Sequence, residues 1–209
     1  MKQTAEIAQI IDILKGLYPD ALCSLQYEKD YELLFAVRLS AQCTDARVNM
    51  VTPALFARFP TLQSFAEADP KDVGEYIHSC GFYNSKSKDL VECAKQLMEK
   101  HGGKVPATME ELTALPGIGR KTANLILGDI YGEPSYVCDT HCIRITGRLG
   151  ITDGSKDPLQ VEKQLRMALP PEESGNFCHR MVLFGRDTCT ARSPKCAECP
   201  LWELCDGKQ

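Results

Sequence analysis

Four cysteines, Cys189, Cys196, Cys199 and Cys205, fall within 17 residues near the C-terminus, separated by six, two and five residues. So short a segment cannot bury a hydrophobic core of its own, and thiols at this density predict a metal site in its place. Thiolates so spaced hold either zinc or an iron-sulfur cluster. A four-thiolate zinc site usually presents two paired CxxC knuckles, and only Cys196 and Cys199 form one, so the spacing points to a 4Fe-4S cluster ahead of zinc. The other seven cysteines (Cys23, Cys43, Cys80, Cys93, Cys138, Cys142, Cys178) are scattered, and eleven is an odd total. That is no disulfide framework, and it predicts free thiols in a reducing compartment.

The rest of the chain reads as helix. Apolar residues recur at spacings of three and four, and no long stretch alternates as a half-buried strand would, so the fold class is all-α. Ile7, Ile10, Ile11, Leu14 and Leu17 mark a first helix ending before Tyr18-Pro19; Leu33, Leu34 and Val37 mark a second, and Val48, Val51, Leu55 and Phe59 a third. Asp69-Pro70 and Asp157-Pro158 each pair an N-cap with a proline at the first helical position. A long helix is predicted from about Ser85 to His101, ending at Gly102-Gly103, and Thr108 to Glu111 has the form of a capping box. Composition, at 44% hydrophobic and 25% charged, is that of a globular chain and marks no domain boundary. No stretch approaches the roughly 18 apolar residues of a membrane span, and the first residues lack a secretory signal. The expectation is a soluble, cytoplasmic protein with no membrane partner.

A net charge of −4 counts mildly against a nucleic-acid partner, whose phosphates are met by Lys and Arg. Its distribution matters more. Residues 176–195 carry Arg180, Arg186, Arg192 and Lys195 against Asp187 alone, whereas 61–80 carry Glu67, Asp69, Asp72 and Glu75 against Lys71. A basic face on an acidic protein is compatible with this pattern.

Behind the predicted capping box the periodicity lapses at Leu115-Pro116-Gly117-Ile118-Gly119-Arg120-Lys121-Thr122-Ala123-Asn124, then resumes at Leu125. Two glycines around one apolar residue make a tight connection between helices. The unpaired N–H groups and dipole of the following helix suit it to an anion such as phosphate, although a GxG alone is also an ordinary turn. Lys121 lies in the first turn of that helix, beside Arg120. A lysine amine with the usual pKa of about 10.4 must lose its proton to act as a nucleophile. A helix N-terminus and an adjacent cation both favour that loss, and a solvated lysine touching phosphate is the alternative. Asp139, ahead of Ile143, Ile145 and Leu149, is placed to N-cap a helix, and a carboxylate kept ionised there can also accept a proton or steady a developing cation. Gln42 and Phe82 sit on short connections. They are either loop filling or the amide and the wedge with which a base-extruding enzyme fills the vacated stack.

Together, the hairpin with Lys121, Asp139 eighteen residues later, Ser40-Ala41-Gln42, Asn84-Ser85-Lys86 and the C-x6-C-x2-C-x5-C tail closely resemble the endonuclease III family of bifunctional DNA glycosylases, within the helix-hairpin-helix superfamily. The resemblance spans nearly the whole chain. It implies a two-lobed helical protein: a six-helix domain over 23–132 with its helix-hairpin-helix near 108–131, and a 4Fe-4S domain from 1–22 and 133–209 with the cluster loop at 189–205. Damaged double-stranded DNA would lie between the lobes of a monomer. It further implies that Lys121 attacks C1′ of an oxidised or damaged pyrimidine nucleotide, expelling the base and cutting the strand by β-elimination, with Asp139 assisting. Gln42 would plug the stack and Phe82 wedge beside the orphaned base. Leu115, Gly117, Gly119, Arg120, His141, Arg186, Arg192 and Lys195 would also meet DNA. Cys43 and Phe82 depart from the family's usual small or hydroxyl residue and aliphatic. Two other readings stay open: a monofunctional mismatch glycosylase, which generally lacks a lysine at this position, and a noncatalytic iron-sulfur DNA-binding protein.

Overall fold

The computed structural model describes residues 2–207, and their regular structure is eleven α-helices with three 3-10 turns and no strand. Several helices begin where a side chain satisfies an orphan N–H group of the first turn. Asp69 and Asp157 accept from the N–H of Lys71 and Leu159 at 2.8 and 3.0 Å, and such caps contribute about 1 kcal/mol each. The predicted capping box at Thr108 forms only in part. Thr108 Oγ1 accepts from Glu111 N at 3.2 Å, but the Glu111 carboxylate takes the Thr108 hydroxyl instead of its backbone N–H.

The chain divides into two compact units, Met1–Leu22 with Gly132–Gln209, and Cys23–Tyr131. The continuous unit holds α2 (Asp30–Ser40), α3 (Asp45–Arg58), α4 (Leu62–Ala66), α5 (Pro70–Ile77), α6 (Tyr83–His101), α7 (Met109–Thr113) and α8 (Arg120–Asp129). Its core joins Leu33, Leu34 and Leu39 of α2 to Leu55 of α3, Phe65 of α4, Ile77 of α5, Leu90 and Leu97 of α6, and Ile126 of α8. Phe35 and Phe65 meet edge to face at 5.0 Å between centroids, and burying each such ring is worth about 1.5–3 kcal/mol. The long helix starts at Tyr83, two residues before the expected Ser85, so the connection ahead of it shrinks to Gly81 and Phe82.

The discontinuous unit holds α1 (Thr4–Leu17), α9 (Thr140–Leu149), α10 (Pro158–Ala168) and α11 (Ser174–Asp187). Ile10 and Leu14 of α1, Ile145 of α9, Val161 and Leu165 of α10, and Phe177, Met181 and Phe184 of α11 form its core. Cys189, Cys199 and Cys205 pack against that core from the C-terminal loop, which also contributes Leu201. Arg180, expected in the basic segment, is buried instead: it donates to the Glu173 carboxylate at 3.2 Å and to the Tyr18 carbonyl at 3.3 Å. No described helix is long and apolar enough to cross a membrane.

Candidate functional site

Residues after α11 hold little regular structure beyond one 3-10 turn at Cys196–Glu198, and their shape comes from side chains reaching in from α9. Arg148 donates to Cys189 Sγ at 3.3 Å and to the carbonyls of Thr190 and Ala191 at 2.8 and 3.1 Å, and Arg144 donates to the Cys189 carbonyl at 2.9 Å. The loop forms a pocket lined by Cys189, Cys196, Cys199 and Cys205 with Leu149 and Phe184. All eleven cysteines are free. Zinc would need four sulfurs about 2.3 Å from one point, yet among the described residues no three His, Cys, Asp or Glu side chains gather closely enough for a single ion. Four thiols facing a shared cavity suit the wider iron-sulfur cluster. Burial pushes the Cys199 and Cys205 thiols up, the charge of the other loop thiols adding to the effect, so taking up a cluster must displace protons. Arg192 and Lys195 are exposed on this loop, as Arg186 is on α11.

The hairpin spans 114–119. Gly117 has φ 71°, in the left-handed region, and a Cβ there would lie 2.3 Å from Arg38 Nε and 2.7 Å from Asp89 Oδ2. These two side chains are an ion pair, with Arg38 Nε and Nη2 both donating to Asp89 Oδ2, at 2.9 and 2.6 Å. The glycine is therefore required by an internal approach that its sequence context does not reveal. Gly119 behaves differently: it has ordinary extended backbone, N-caps α8, and has open space where a Cβ would be. Leu115, expected among the DNA contacts, has a buried side chain, and its N–H donates to the Leu112 carbonyl at 3.1 Å. Lys121 and Arg120 are exposed on the first turn of α8.

In the other unit, Asp139 is half-buried and caps α9, its carboxylate accepting from Cys142 N at 2.8 Å. His141 follows one residue into the helix, its Nδ1 lying 3.2 Å from Arg144 Nη2. A Cβ on Gly185 would come within 2.3 Å of that Nδ1, so the small residue on α11 makes room for the imidazole. Cys138 and Cys142 are buried, as ordinary packed thiols would be.

Gln42 and Phe82 are both exposed, Phe82 at 68%, and they line one pocket with Arg38, Ala41, Ser85 and Lys86. They are also the two non-glycine residues with positive φ among the described residues, at 54° and 47°. Backbone of this kind persists only where its surroundings impose it, and it recurs at functional sites. Sequence reasoning missed Arg144 and Arg148, which support the cysteine loop, and the Arg38–Asp89 pair beneath the hairpin. No local spacing signals either.

The comparisons with known proteins match both units. A family model described as HhH-GPD superfamily base excision DNA repair protein matches residues 35–171, and one for the iron-sulfur binding domain of endonuclease III matches 189–205. Endonuclease III of Synechocystis sp. is 45% identical over 202 residues, covering 96% of this chain and 92% of that protein. Endonuclease III of Escherichia coli K12 is 38% identical over 205 residues, covering 98% and 97%. The structure of a trapped endonuclease III-DNA covalent intermediate in an estranged-adenine complex superposes with a TM-score of 0.93 at 40% identity, covering 100% of this chain and 98% of that one. A thermostable thymine-DNA glycosylase reaches a TM-score of 0.88 at 17% identity, covering 98% of this chain and 97% of the other, a likeness of fold alone.

Proposed function

This chain belongs to the endonuclease III family of the HhH-GPD superfamily of base excision DNA repair proteins, and from that premise we propose how it carries out its repair reaction. It is a DNA glycosylase with an iron-sulfur centre held by Cys189, Cys196, Cys199 and Cys205, and it acts on oxidised or ring-damaged pyrimidines in duplex DNA. Gln42 and Phe82 fill the stack left by the extruded nucleotide. The neutral amine of Lys121 attacks C1′, the C1′–N bond breaks and the base leaves with its electron pair, while the Asp139 carboxylate steadies the positive charge developing on the sugar. The amine adduct opens to a protonated Schiff base. Loss of a C2′ proton then expels the 3′-phosphate, which cuts the strand by β-elimination.

The observation that carries this reading is the exposed Lys121 amine on the first turn of α8, directly behind the hairpin. When bound, the cluster supplies a fold for the 189–205 loop and no reacting atom. Gly119 and Arg120 meet phosphate beside the lysine, and His141, Arg186, Arg192 and Lys195 meet the DNA from the cluster-bearing unit. The protein works as a monomer in the cytoplasm. Borohydride reduction during reaction with an abasic-site duplex is expected to trap a covalent protein-DNA adduct, and Lys121→Gln to abolish it. A wild-type protein that gives no adduct is not a lyase, and base release without strand cutting makes it monofunctional.

A further inference from the structure

Lys86, on the second turn of α6, is 1% exposed, and the repair reaction as described leaves it without a task. Its ammonium donates to the Leu39 carbonyl at 2.8 Å and to the Cys80 carbonyl at 2.9 Å. Both acceptors are helix ends: Leu39 lies in the last turn of α2, and Cys80 closes the 3-10 turn at His78–Cys80. The C-terminal carbonyls of a helix lack partners within it and carry the negative end of its dipole, so one cation facing two of them caps both. Other groups serve the remaining carbonyls of α2. Ser40 Oγ donates to Val37, Ala41 N to Arg38, and Cys43 N to Ser40. Gln42 follows Leu39 by three residues and Phe82 follows Cys80 by two, and these are the left-handed pair.

We propose that Lys86 is a positioning residue for nucleotide extrusion, its ammonium tying the end of α2 to the end of the 3-10 turn so that Gln42 and Phe82 are held at a set separation in left-handed backbone. This rests on the roles given to Gln42 and Phe82 above. A buried cation is costly to keep, and burial pulls Lys86 below the ordinary lysine range, the Cys43 and Cys80 thiols opposing that shift. An apolar side chain could fill the same volume, but it would leave two carbonyls orphaned at the places where both insertion residues leave their helices.

Single-turnover excision provides the test, read on two duplexes: one with an oxidised pyrimidine opposite a purine, the other with the same strand opposite an abasic position. Only the first needs a paired nucleotide drawn out and its stack refilled. Lys86→Met, similar in length but without a donor for either carbonyl, is expected to lower the paired-to-unpaired rate ratio at least about tenfold. Lys86→Arg, which keeps charge and donors, is expected to restore most of that ratio. Rates are taken per borohydride-trappable active site, so a smaller folded fraction leaves the ratio unchanged. If Lys86→Met shows no helical circular dichroism, the ratio is read on Lys86→Gln with the same expectation. Equal losses on both duplexes, or none, would overturn the proposal. Wild type inactive on both duplexes would instead remove the proposed function on which it rests.

Discussion

Asp139 shows how one side chain can serve fold and chemistry, and how the two can be separated. Its carboxylate caps α9 through Cys142 N at 2.8 Å, a role that asparagine fills equally well. Asp139→Asn should therefore keep the thermal midpoint close to wild type, within about 0.5 kcal/mol of stability. The same change removes the charge that assists base departure, and should lower single-turnover excision by about 10²–10⁴-fold. Asp139→Ala should lose a similar amount of activity and, in addition, about 1 kcal/mol of cap energy in thermal or denaturant unfolding. Full activity in Asp139→Asn would reduce the residue to a cap.

The two hairpin glycines make contrasting predictions at the level of the element. Gly117→Ala places a Cβ in left-handed backbone and against the Arg38–Asp89 pair, and should cost about 1–3 kcal/mol in unfolding measurements. Gly119→Ala meets nothing within 4 Å on ordinary backbone, so its melting should stay within about 1 kcal/mol of wild type. If the backbone at Gly119 approaches a phosphate, that variant should still bind abasic-site duplex more weakly, and unchanged binding would remove Gly119 from the interface. The glycines were legible as a tight connection, but not which of them answers to the protein's interior. Helices with caps and prolines at their starts could be read in the chain itself, because a capping bond spans only two or three residues. Helix α4, at five residues, is too short to show a period. Lys86 and Arg180 look like ordinary surface cations in sequence, since the carbonyls and carboxylate that justify their burial come from distant segments. Lys121 and Asp139 stood out through the resemblance, while their own surroundings also allowed a solvated lysine and a plain cap.

For the whole molecule, a net charge of −4 requires that any affinity for DNA come from a local basic face. Arg180 contributes nothing to it, being buried against Glu173, which leaves exposed Arg186, Arg192 and Lys195 in the cluster-bearing unit. Each cation that neutralises a phosphate adds about 0.9 to the slope of log affinity against log salt, so replacing all three with glutamine should flatten that slope by about 2–3. The loss should be nearly equal for damaged and undamaged duplex, because phosphate contacts carry no sequence or lesion information. Two of these cations lie on a loop whose apolar anchors are few, with Leu201 its buried hydrophobic residue. Cluster ligation is expected to add to the order that Arg144 and Arg148 give the loop. Cys199→Ser, or removal of the iron, should then flatten the same slope, while amide exchange stays slow in the core of the continuous unit, as at Leu33, Leu97 and Ile126, whose packing lies wholly within 23–131. Cluster-free protein that keeps both the wild-type slope and the wild-type exchange pattern would show that the four cysteines neither order the loop nor set the DNA contacts it carries. A fall in protection across both units would show instead that the cluster supports the whole chain and not one unit of it.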